Sequence, residues 1–119
     1  MQAYADCWMP NNQQFKAMQI RNLNFRDDKW LILDDWETEM YFATPDDYNA
    51  FRATSIADTL RYLLNDKTQR IKLQIAREGS VACYISADLD TLQLIATSAY
   101  GLLADEADII NNELRLWWD

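Results

Sequence analysis

A chain of 119 residues, half of them hydrophobic and 13% aromatic, is long and apolar enough to bury a real core, unlike a disordered acidic chain. Its formal charge of −8 sets up a field that repels phosphate backbones and anionic membrane surfaces. Direct nucleic-acid or membrane binding is therefore not expected, and a cationic partner is favoured.

Taken in chain order, residues 1–14 read as irregular, with Pro10 and the polar run "NNQQ" closing them. "KAMQIRNLNF" alternates in part and predicts a strand over roughly 15–26, ended by the turn signal "RDDK". "WLIL" predicts a short buried strand and "EMYFAT" a second. Leu31 and Leu33 share one face, as do Met40 and Phe42, and "DDWETE" is the loop between the strands. Thr44, Pro45, Asp46 and Asp47 carry a cap, a first-turn proline and dipole-matched acids, so "TPDDYNAF" opens a helix. Ser55 with Asp58 three residues on signals a second cap. Ile56, Leu60, Leu63 and Leu64 then lie on one helical face.

"QRIKLQIAR" alternates cleanly, with Ile71, Leu73 and Ile75 on one side. "EG" is a tight turn, and "SVACYIS" returns with Val81, Cys83 and Ile85 on the same side, an antiparallel hairpin. "DLDTLQLIATSAYGLL" predicts a helix capped by Asp88, with Leu92, Ile95, Ala96, Ala99 and Leu103 inward and Gly101 in its last turn or at a close contact. Asp105, Glu106 and Asp108 fall in a loop, and "NELRLWWD" ends the chain as a strand. Its Trp117 and Trp118 point to opposite faces, so each needs its own cover, from a helix of the same chain or from a second subunit. The expectation is a single α+β domain spanning residues 1–119. It has an antiparallel sheet of about five or six strands and two or three helices packed on one side.

Elimination narrows the chemistry. No histidine occurs, which removes Ser-His-Asp and Cys-His pairs and every histidine metal ligand. Two glycines cannot build a phosphate loop, a dinucleotide turn or a nucleophile elbow. Cys7 and Cys83 form no CxxC pair. Carboxylate sets such as Asp88 with Asp90, or Asp105 with Glu106 and Asp108, are explained by helix capping and loop solvation without an ion. A non-enzyme without cofactor or metal is expected. The opening "MQAYADCWMPNNQQFK" lacks a basic start and an apolar run, and no stretch is long enough to span a bilayer, so a cytoplasmic location is expected.

Charge is segregated along the chain. Eight acids and one base, Lys29, lie between Asp27 and Asp47, whereas six bases and two acids lie between Arg52 and Arg77. The run "WLILDDWETEMYFATPDD" mixes six carboxylates with four aromatic rings. Rings supply interface anchors, and carboxylates steer a cationic partner. The expected docking residues are Asp34, Asp35, Trp36, Glu37, Glu39, Asp46 and Asp47. The expected partner is a basic protein, either a toxin or a nucleic-acid-binding enzyme. The expected role is an inhibitor of the immunity-protein or antitoxin kind. The alternatives are a phage or plasmid DNA mimic acting against restriction or CRISPR complexes, and an interaction domain forming a homodimer.

Overall fold

The computed structural model describes residues 24–43, 52–98 and 102–118. Its elements are β1 (Phe25–Arg26), α1 (Leu33–Ala43), α2 (Ala53–Leu64), a 3-10 segment (Asn65–Arg70), β2 (Lys72–Arg77), β3 (Val81–Ser86), α3 (Leu89–Thr97), β4 (Glu106–Ile110) and β5 (Glu113–Trp118). The fold is α+β. Among the described residues, five strands form one antiparallel sheet in the order β1-β2-β3-β5-β4.

The β2–β3 hairpin forms as its alternation requires, with Leu73 opposite Ile85 and Ile75 opposite Cys83. Its turn has three residues rather than the two expected from "EG". Arg77 pairs with Val81, and Gly79 takes φ +75°, a left-handed conformation open to glycine without strain. Leu73, Ile75, Val81, Cys83, Ile85, Leu114, Leu116 and Trp118 join the buried residues of α1, α2 and α3 in one core. The indole N–H of Trp118 donates to the Leu102 carbonyl at 2.9 Å, so a segment of the same chain covers that ring. Trp117 lies half-buried on the opposite face and donates to the Glu78 carbonyl at 2.8 Å.

Several expectations are corrected. "WLIL" and "EMYFAT" are not two strands around a loop. Leu31 makes only an isolated bridge to Leu73, and residues 33–43 are helix. Leu33, Trp36, Met40 and Ala43 fall at helical spacing and are all buried, so the amphipathic period outweighs the short apolar runs. Ser55 is not a cap. Arg52, with extended backbone, holds that position, and Ser55 sits inside the first turn of α2, where its carbonyl accepts from the Thr59 hydroxyl. Regular helix α3 ends at Thr97, and it is Leu102 that is buried, while Leu103 is exposed with φ +60°. Glu106 and Asp108 belong to β4, not to a loop. The strand expected over 15–26 appears as Phe25–Arg26. Its residues before 24, the helix expected to open at Thr44, and Ala99 and Gly101 lie outside the described residues.

Candidate functional site

Helix α1 turns its acids outward because its apolar positions turn inward. Asp34, Thr38 and Tyr41 recur at i, i+4 and i+7 and line one flank. Asp35 is exposed beside them, and Glu39 is half-buried on the far flank. Asp34 and Asp35 occupy the first turn, where the helix dipole favours negative charge. Trp36 has an exposure of 0%. It is a core side chain and not a docking anchor, because the helical period points it along with Leu33 and Met40. Asp46 and Asp47 lie outside the described residues.

The segregated charges of the sequence meet in space. The Arg61 guanidinium, near the end of α2, donates to Asp34 at 2.7 Å, Glu37 at 2.6 Å and Asp58 at 2.9 Å. The end of α2 is thereby held beside the start of α1. Hydrogen bonds donated to Glu37 and Asp34 keep Arg61 charged well beyond its ordinary range, against the opposing effect of burial. All four side chains are partly open to solvent, so the cluster contributes less to stability than to fixing the two helices in register. Three carboxylates around one guanidinium leave the cluster net negative.

On α2, Ser55, Asp58 and Tyr62 recur at i, i+3 and i+7, opposite the buried Ile56 and Leu60. Tyr62 is 86% exposed and Tyr41 61%. The outward face of the α1–α2 pair therefore presents Asp34, Asp35 and Asp58 together with two unburied phenol rings. Asp34 and Asp35, expected in a loop, are exposed in the first turn of α1, and Tyr41, Asp58 and Arg61, which local spacing does not single out, lie on the same helix pair with Tyr62. The wheel of α2 carries the signal for Tyr62, since the ring lies opposite the apolar stripe.

A second polar cluster covers the sheet face away from the helices. Arg115 donates to Glu78 at 2.6 Å, Glu106 at 2.8 Å and Asp108 at 3.2 Å, and the Tyr84 hydroxyl donates to Glu78. Arg26 donates to Gln74 at 2.6 Å and Glu113 at 2.8 Å, and its guanidinium carbon lies 3.7 Å from the centroid of the Tyr84 ring. Burial alone would raise the Glu78 carboxyl, but the bonds from Tyr84 and Arg115 outweigh it and hold the group below its ordinary value.

A carboxyl depressed in the folded state stabilises the fold above its unfolded pKa of about 4.3, and this contribution is lost as pH falls through the folded value. Thermal melts between about pH 5 and about pH 3 should show a smaller fall in midpoint for Glu78→Gln than for the wild type. Equal falls would show that Glu78 does not carry this linkage.

An open cleft of about 470 Å³ separates the end of α2 from the start of α3, bounded by Leu63, Lys67, Arg70, Asp88, Asp90 and Leu94. Asp88 is committed to capping α3, accepting from the Thr91 hydroxyl at 2.7 Å and the Thr91 N–H at 3.0 Å, and that bonding lowers its pKa. Cys83 is buried and its thiol is pushed up by desolvation, which makes it a poor nucleophile. No group of three or more acids, cysteines or histidines among the described residues is placed to hold a metal ion. None of the described helices is long and apolar enough to cross a membrane. The chain matches no protein-family model, no curated protein and no solved structure.

Proposed function

We propose that this protein is a non-catalytic acidic binding protein that inhibits a basic partner. It would act as an immunity protein or antitoxin does, covering the cationic cleft of a nuclease-type toxin. The observation that carries the reading is the outward side of α1 and α2, where Asp34, Asp35 and Asp58 are exposed together with Tyr41 and Tyr62. Carboxylates so placed can occupy positions that substrate phosphates would take. Tyrosines add large contact area at low entropic cost, a combination enriched at interfaces. The charge of −8 adds long-range steering toward a cationic surface.

The test is capture of partners from the source lysate at low salt, followed by binding kinetics on the purified complex. Asp35→Lys should place like charges across the interface, costing several kcal/mol and slowing association. Tyr62→Ala should act mainly through faster dissociation. Asp28→Lys makes the same charge change on an exposed residue before α1 and serves as the control. Equal losses for Asp35→Lys and Asp28→Lys would mean that bulk charge acts and that this face is not a docking site. Capture of no basic protein would remove the reading altogether.

A further inference from the structure

β4 closes the sheet on one side, and among the described residues no strand pairs with its outer edge. Asn111 and Asn112 take φ of 54° and 65° and join β4 to β5 in a two-residue turn. In such a hairpin the flanking pair, Ile110 and Glu113, is hydrogen-bonded, and pairing alternates from there. Asp108 and Glu106 thus bond toward β5, while the N–H and C=O groups of Ala107 and Ile109 point to the open side.

Natural edges are commonly blunted by charged side chains, proline or a bulge. β4 contains no proline and keeps an unbroken register with β5 from Glu106 to Ile110. Its two charges, Glu106 and Asp108, are both negative, so they repel an acidic strand but not a basic one. Ile110 is 54% exposed, and Ile109 is exposed next to it. Glu106 and Asp108 share the outer face with Glu78. One guanidinium, Arg115, serves all three carboxylates, so two negative charges remain uncompensated by it. Charge also argues against a second copy as the occupant. The antiparallel register of full overlap would set Asp108 directly opposite its own counterpart, which is destabilising.

We propose that the β4 edge binds an extended basic segment of the partner as an added strand. Its lysines or arginines would lie on the face of Glu106 and Asp108, and its apolar residues on the face of Ala107 and Ile109. Main-chain bonds to Ala107 and Ile109 supply the pairing, and the alternating side chains supply the selection. The proposal rests on the partner being a basic protein, but it uses a surface separate from the α1–α2 face.

The test titrates the isotope-labelled full chain, at low salt, with a short capped peptide of alternating lysine and valine. The amides of Ala107 and Ile109 should shift and gain protection from exchange. Ile109→Pro removes an N–H that points away from β5, a position where an edge strand tolerates proline, and should weaken the peptide at least about tenfold. Glu106→Gln/Asp108→Asn keeps the backbone and the side-chain shapes and should weaken it comparably, which guards against misfolding of the proline variant. The proposal is overturned by absence of binding at about millimolar peptide, by shifts confined to α1 and α2, or by protection of Ala107 and Ile109 in a peptide-free dimer. Failure here leaves the Asp35→Lys comparison standing, so the two readings fall separately.

Discussion

Trp36→Ala should lower the free energy of unfolding by about 3–5 kcal/mol, measured by urea denaturation. The ring is fully buried and packs in the core with Leu33, Met40 and the inner sheet face. Removing it forfeits transfer free energy and leaves a void that the sheet, held by ladders on both sides of β3, cannot close. A small domain has only about 5–15 kcal/mol in total, so this change brings the protein close to its unfolding threshold. Trp36→Phe should recover a large part of the loss, since it restores most of the volume. A Trp36→Ala protein with unchanged urea midpoint and weakened partner binding would instead make the ring an interface anchor and place the helix face wrongly.

Leu73→Ala should cost about 2–5 kcal/mol, whereas Leu103→Ala should stay within about 0.5 kcal/mol. Leu73 is fully buried near the start of β2. Its backbone exchanges two 2.8 Å hydrogen bonds with Leu31, which tie the segment entering α1 to the sheet, and Ile85 lies directly opposite. Leu103 is exposed and left-handed, so Leu103→Gly should even stabilise by relieving the backbone. Denaturation midpoints of the three variants decide the matter. Equal costs at positions 73 and 103 would mean that Leu103 shares the core after all.

Where local pattern and tertiary packing agree, the sequence reads correctly. Ile71 to Ile85 alternate with a period of two and form the hairpin, and Asp88 caps a helix by direct bonding to Thr91. Helix α1 was harder to see, because "WLIL" and "EMYFAT" each resemble a strand over a few residues. Its apolar stripe emerges only over the eleven residues from Leu33 to Ala43. β4 is not legible locally because an edge strand needs little burial, and four of its five residues are exposed. The adjacent "NN", with both residues able to adopt positive φ, was the available hairpin signal. The candidate docking face was only half legible. Asp34 and Asp35 declare themselves by charge, but the Arg61 bonds to Asp34 and Glu37 join residues 27 and 24 positions apart, which no local spacing encodes.

The burial of Cys83 supplies a clock. Its thiol sits in the central strand β3, between β2 and β5, with 1% of its surface exposed. A thiol-specific reagent can reach it only when the core between the helices and the sheet opens, and burial further suppresses the reactive thiolate. With reagent in large excess, the labelling rate at this one position becomes the rate of opening itself. With reagent scarce, it becomes the equilibrium population of the opened form. Mass analysis of the peptide containing Cys83 therefore reads the stability of the core between sheet and helices in dilute native conditions, without denaturant and without any partner in hand.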